Sequence, residues 1–285
     1  MDKIRRATWH DYTQRCIYMV TLKKSLHIEP FGTLKGECRL PFDVRGSSYV
    51  SASHTGKAIK DAIRQIPSIE PKVKILQYAL MPDHVHILLF VTETTEEILG
   101  RIIARFKILV NEAAGTEGVF TKGFNDQILK SSRDLSTLFR YLRDNPRRLA
   151  VRRAHPEYFR RVNKLQLCGR ECMAYGNFQL LDNPFKEAVV VHRADSDAVR
   201  GEKSGLWHYT AANGGVLVSP FISEAEKAVR DDAEACDGKV ILLTAEPLGE
   251  RYKPAEHDFL LCEAGKLLIV SLPSRANSPA KNVSP

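Results

Sequence analysis

The sequence predicts an α+β fold: an antiparallel sheet with helices packed on a face over residues 1–160. A smaller, Rossmann-like α/β domain follows over 161–272, then a disordered tail over 273–285. Three observations carry this reading. The first part runs strand–helix–strand–strand–helix–strand–helix in about 130 residues, the pattern of a two-layer α+β domain. The second part contains a strand–helix–strand unit whose strands are continuously apolar, as in a parallel sheet buried on both faces. Charge divides the same way. Residues 1–160 carry 27 Lys/Arg against 17 Asp/Glu, a net of +10, whereas the remainder carries 15 against 17, a net of −2. That asymmetry points the first part, and not the second, toward a polyanion.

Taken in order, Ile17-Tyr18-Met19-Val20-Thr21-Leu22 is β-rich and predicts the first strand. A polar, glycine-containing stretch follows to about residue 48. Ala58, Ile59, Ala62, Ile63 and Ile66 recur at helical spacing, and Pro67 is expected to stop that helix. Residues 73–80 and 84–91 read as an antiparallel hairpin turned by Pro82-Asp83. Thr95 with Glu96 and Glu97 is a helix start for the stripe Ile98, Leu99, Ile102, Ile103, Phe106 and Leu109, which ends before Gly115. Residues 124–129 are extended. Ser132-Arg133-Asp134 is expected to cap a further helix with Leu135, Leu138, Phe139 and Leu142 inward, and Pro146 to end or kink it. Beyond residue 160, strands are expected at 187–192, 215–218, 239–244, 257–262 and 266–270. A helix capped by Ser223 runs to Cys236, and the Pro/Ser-rich tail is expected to be disordered.

Composition excludes some classes. Hydrophobic residues make up 44% and charged residues 27%, ordinary for a globular protein. No apolar run reaches the length of a membrane span, and the charged N-terminus lacks the apolar stretch of a signal peptide. The expected location is cytoplasmic, and the six scattered cysteines are expected to be reduced thiols.

The chemistry concentrates in two segments. In Met81-Pro82-Asp83-His84-Val85-His86, alternation along a strand puts both imidazoles on one face, suited to a divalent metal that takes a third ligand from elsewhere. In Phe139-Arg140-Tyr141-Leu142-Arg143-Asp144-Asn145-Pro146-Arg147-Arg148, Tyr141 and Asn145 share a helix face. Asn145 is a candidate third ligand, and Tyr141 then stands one turn from the ion. Arg140, Arg143, Arg147, Arg148, Arg152 and Arg153 crowd the same window, as expected where a phosphate backbone is held. Taken singly, each feature reads as a core histidine, an amphipathic tyrosine or a solvated charged face; the combination makes that less economical.

With those residues in hand, the chain resembles the HUH single-tyrosine transposases of the insertion-sequence 200 type, nearest the REP-associated branch. The resemblance covers about residues 10–155 and rests on Tyr18-Met-Val-Thr21, Met81-Pro-Asp-His-Val-His86, Phe106-Lys107, Gly123-Phe-Asn-Asp-Gln-Ile-Leu129 and Tyr141-Leu-Arg-Asp-Asn-Pro146. It implies an HUH, ferredoxin-like first domain, with His84, His86 and Asn145 as metal ligands, Mg²⁺ or Mn²⁺ as the ion and Tyr141 as nucleophile. It also implies Lys107 and the arginines on DNA, and single-stranded DNA with a hairpin as partner. Asn125 departs from the family's Gly-Phe-His-Asp, which touches local positioning, and residues 31–53 are longer than usual. The implied chemistry is attack of a tyrosine oxygen on phosphorus to give a 5′-phosphotyrosine. A free tyrosine ionises near pH 10, so a cation or arginine must assist.

Residues beyond about 175 lie outside the resemblance, carry no dinucleotide or Walker fingerprint, and read as an accessory module. Two other readings stay open: a domesticated protein that binds DNA hairpins with little or no cleavage, and an RRM-like nucleic-acid module. The second lacks the paired aromatics such modules place on their strands. A homodimer is compatible with the sequence.

Overall fold

The computed structural model describes residues 7, 9–129, 133–250 and 252–272. It divides into two compact units, Met1–Val151 and Arg152–Pro285. The expected tail and the Ser132 cap fall outside the described residues.

In the first unit the chain runs through β1 (Cys16–Lys23), β2 (Gly32–Lys35), β3 (Tyr49–Ala52), α1 (His54–Ile69), β4 (Val73–Leu80), β5 (His84–Val91), α2 (Leu99–Ala114), β6 (Asn125–Leu129) and α3 (Arg133–Ala154). Strands β4-β5-β1-β6 form a four-stranded sheet, antiparallel throughout. On one face Tyr18, Val20 and Leu22 of β1, with Val85, Ile87, Leu89 and Val91 of β5, meet Ile59, Ile63 and Ile66 of α1 and Ile102, Ile103 and Phe106 of α2. On the other, Met19, Ala79 and Leu88 are buried against Leu142 of α3, flanked by Leu135, Leu138, Phe139 and Tyr141. Helices therefore cover both faces rather than the single face expected. The cause is legible in β5, where Ile87-Leu88-Leu89-Phe90 is apolar in both parities and exposing either would cost burial.

Three boundaries differ from expectation. Helix α1 opens with Ser53 Oγ accepting from Gly56 N at 3.1 Å and continues through Pro67 to Ile69, whose side chain packs on the core. Helix α2 starts at Leu99, because the Thr95 hydroxyl donates instead to the carbonyls of Thr13 and Glu97 at 3.1 and 2.8 Å. Helix α3 runs through Pro146. Proline removes one intrahelical donor, but Arg147, Arg148, Ala150 and Val151 beyond it are buried, and that packing sustains the last turns. The polar stretch after β1 also holds structure that the sequence reading missed, since β2 and β3 pair as a separate two-stranded sheet.

The second unit is a six-stranded sheet in the order β7-β8-β12-β11-β10-β9. It comprises β7 (Arg160–Leu167), β8 (Arg170–Gly176), β9 (Lys186–Ala188), β10 (Val216–Ser219), β11 (Lys239–Thr244) and β12 (Leu267–Ser271). Strands β9 to β12 are parallel and in consecutive order. They are linked by α4 (Asp197–Ala212), α5 (Glu224–Ala235) and α6 (Glu256–Glu263). Trp207 and Ala211 of α4, Ala233 of α5 and Cys262 of α6 bury together with Leu217, Val240 and Ile269, so all three helices share one face. The 3₁₀ turn Phe178–Leu181 packs on the other through Leu180. The segment expected as a strand at 257–262 is helix α6. Glu256 and Asp258 sit in its first turn, and Phe259 and Cys262 are buried three residues apart. Strand β9 is shorter than expected, and α4, β7 and β8 were not anticipated. The parallel strands show no reversal of order, the point at which doubly wound sheets open a ligand crevice.

A two-histidine face opposite a tyrosine helix as the candidate active site

His84 and His86 project from the β5 face that packs on α3, while Val85 enters the α1/α2 core. His86 is buried, at 7% exposure. Each ring is braced through Nδ1. His84 Nδ1–H donates to Asp83 Oδ1 at 2.7 Å, and His86 Nδ1 shares a 2.8 Å hydrogen bond with Thr21 Oγ1. Thr21 stands directly opposite His86 in the β1–β5 register. The hydrogen bond to His84 holds the Asp83 carboxyl below its usual range. With both Nδ1 atoms engaged, the two Nε2 atoms face each other at 3.1 Å, the rings 4.6 Å apart and inclined at 77°.

This donor set fits a divalent cation. Two neighbouring ligands of an octahedral ion at about 2.1 Å stand about 3.0 Å apart, close to the observed separation. Bracing of the remote ring nitrogen is the usual support of a metal-bound imidazole. Among the described residues no group of three or more His, Cys, Asp or Glu side chains is placed to hold a metal, so a third protein ligand has to be of another type. Asn145 on α3 is 4% exposed, and its buried amide nitrogen has no hydrogen-bond partner among the described residues. A buried amide nitrogen without an acceptor is costly; a cation would be met by the amide oxygen of this side chain and not by its nitrogen.

Tyr141 is half-buried, its ring centroid 6.3 Å from that of His86. The Arg148 guanidinium lies 5.5 Å from the Tyr141 ring centroid. One turn on, Arg147 forks onto Asp144, with Nε and a terminal nitrogen donating to its two carboxylate oxygens at 2.6 and 3.2 Å. Arg147 and Arg148 are buried, whereas Arg140, Arg143 and Arg153 are exposed. Arg152 lies in the second unit with its guanidinium 5.7 Å from the Phe259 ring centroid. The Lys107 ammonium donates to the carbonyls of Thr121 and Gly123 at 2.8 and 2.6 Å, and burial lowers its pKa. Here it braces the loop leading into β6. Sequence reading missed the two braces, Asp83 and Thr21. The first was signalled by its place beside His84, the second by its parity on β1.

Fold and site together define a small antiparallel-sheet unit with a pair of braced imidazoles facing a tyrosine-bearing helix. No family model matches the chain, and no curated protein matches it. Among solved structures it is similar to a REP-associated tyrosine transposase bound to a REP hairpin, at 13% identity and a TM-score of 0.38, over 50% of this chain and 72% of that one. It is also similar to a candidate transposase from Deinococcus radiodurans R1, at 14% identity and a TM-score of 0.27, over 50% of this chain and 97% of that one. Likenesses this distant leave the chemistry to His84, His86, Tyr141 and Asn145.

Proposed function

We propose that this protein is a metal-dependent DNA strand transferase that cleaves and rejoins single-stranded DNA near hairpins. The observation that supports it most is the convergence of the His84 and His86 Nε2 atoms at 3.1 Å on the sheet face against which Tyr141 of α3 packs. His84, His86 and the Asn145 side chain would hold the cation, Mg²⁺ or Mn²⁺. When bound, such an ion polarises the scissile phosphate and offsets charge on the departing oxygen.

The chain supplies the rest. The Tyr141 hydroxyl loses its proton and its oxygen bonds to phosphorus as the bond from phosphorus to the 3′ oxygen breaks. The products are a 5′-phosphotyrosine and, after protonation, a free 3′-OH. The Arg148 guanidinium, 5.5 Å from the Tyr141 ring centroid, would lie beside the attacked phosphate. Because the phosphodiester energy is kept in the tyrosyl bond, a second 3′-OH can attack it and restore Tyr141 without a nucleotide cofactor. Arg140 and Arg143, exposed on α3, would meet the DNA backbone.

The test is to incubate the protein with labelled hairpin-bearing single strands and Mn²⁺ or Mg²⁺, then denature it. The expected result is a protein–DNA adduct that Tyr141→Phe abolishes while DNA binding persists. Binding without any adduct across a hairpin library would replace this reading with that of a hairpin-binding protein.

A further inference from the structure

The β2–β3 hairpin takes no part in the chemistry above, yet it is tied to both halves of the site. At its root, Phe31 N–H donates to Pro82 O at 2.9 Å, just before the Asp83–His84 turn, and Ser53 N–H closes the other leg onto Phe31 O at 3.0 Å. The connection over residues 36–48 is ordered by its own hydrogen bonds. Glu37 N–H donates to Gly46 O at 2.9 Å and Ser47 Oγ to Phe42 O at 3.1 Å. From this connection Phe42 reaches α3, where the Arg143 guanidinium lies 5.2 Å from its ring centroid. One segment thus touches the histidine turn and the tyrosine helix.

The hairpin has two unlike faces. Leu34 and Val50 turn into the core. The register pairs Lys35 with Tyr49 and Thr33 with Ser51, so these four share the opposite face. Tyr49 is 53% exposed, and Lys35, Arg39 and Arg45 are exposed beside it in sequence. Of the two acids in the connection, Glu37 is turned back to accept from Arg39 N–H at 3.0 Å. An open aromatic ring with Lys35 opposite it in register, and exposed Arg39 and Arg45 in the connection of the same hairpin, match unpaired nucleotides, with phosphates on the charges and a base stacked on the ring.

We propose that the β2–β3 hairpin is a strand-holding arm that binds the single-stranded DNA flanking the scissile phosphate. The Lys35–Tyr49 face, with Arg39 and Arg45, makes the contact. The Phe42–Arg143 contact makes Phe42 a positioning residue, fixing the arm relative to Tyr141. The inference rests on the strand-transfer reading above and assigns the arm selection of the strand rather than chemistry.

Affinity for a hairpin oligonucleotide with single-stranded flanks is measured by fluorescence anisotropy in the Tyr141→Phe background, and adduct formation in the parent. Tyr49→Ala is expected to weaken binding about tenfold, with Tyr49→Phe close to the parent. Lys35→Gln, Arg39→Gln and Arg45→Gln together should lower the logarithmic salt slope by about 2. Phe42→Ala should slow adduct formation severalfold at little cost in affinity. Flanking 5-iodouracils should photocross-link to Tyr49. If the parent forms the adduct but Tyr49→Ala binds normally and no cross-link falls within residues 33–51, the arm is overturned while the strand-transfer reading stands. If no adduct forms but the Tyr49 effects hold, the strand-transfer reading is overturned and the hairpin is a DNA-binding surface alone.

Discussion

Replacing Thr21 by valine tests whether the imidazole pair is a metal site. Threonine and valine have nearly the same shape and both suit a strand, so β1 keeps its pairing with β5. What is lost is the 2.8 Å hydrogen bond to His86 Nδ1. A buried ring nitrogen losing its partner costs about 1–3 kcal/mol, readable as a lower Tm. For the metal, loss of such an outer partner weakens affinity by about 10–100-fold, equivalent to about 1.4–2.7 kcal/mol. Mn²⁺ titration followed by electron paramagnetic resonance measures this directly, in the parent, Thr21→Val, Thr21→Ser and His86→Ala. The expected order is parent close to Thr21→Ser, then Thr21→Val, with His86→Ala weakest, and adduct formation should track Mn²⁺ occupancy. Mn²⁺ affinity within twofold of the parent in both Thr21→Val and His86→Ala would refute the reasoning, since neither the brace nor the ring it braces would then matter.

Leu142→Ala removes a 2%-exposed side chain between α3 and the buried Met19, Ala79 and Leu88. It should cost about 2–5 kcal/mol in urea unfolding and slow the adduct through a looser tyrosine helix. Burial, then the nearby Asp258, pushes the Cys262 thiol up to about 12, whereas Cys168 is exposed. Iodoacetamide at pH 8 should therefore label Cys168 in the native protein and spare Cys262, as mass spectrometry can check. In α5 the Glu226 carboxylate accepts from Ser223 N–H and Ile222 N–H, each at 3.0 Å, which lowers its pKa from 4.5. A depressed folded pKa gives stability that is full above the unfolded value and is lost as pH falls through the folded one. Glu226→Gln should lower the Tm at pH 7, and the difference should shrink toward zero as the pH drops below about 4.

The strands that carry the site were legible because their signals are local and strong. β5 shows apolar residues in both parities, and Pro82-Asp83 forces the turn that aligns it with β4. The far-face position of α3 was not legible from its own amphipathic stripe, which says that a helix buries one side but not against which face. Pro67 and Pro146 misled because a proline's local penalty is visible in sequence, while the burial that outweighs it is not. The β2 and β3 strands are four residues each, too short for alternation to stand out within a polar stretch. At 257–262 the apolar run Phe-Leu-Leu fits a strand or a helix equally well, and only the acidic first turn hinted at the helix. His84, His86, Tyr141 and Asn145 could be picked out by residue type and spacing. Their braces were harder to find, because Thr21 meets His86 only through a pairing with a strand 65 residues away.

That pairing has a consequence for how this chain can change over time. In β5, residues of one parity belong to the α1/α2 core and those of the other hold the imidazoles. Inserting or deleting a single residue within the strand would exchange the two sets, sending His84 and His86 into hydrocarbon and Val85 and Ile87 toward α3. Length variation has to be absorbed elsewhere. The neighbouring strand already shows how, since the β4–β5 register shifts between Ile75 and Gln77. There Leu76 is taken up as an irregularity on the α3 side of the sheet, and β5 keeps its step. The site is thus insulated from drift in β4 and exposed to it in β5, so that loops and edge strands can lengthen among descendants while 84–91 keeps a fixed count.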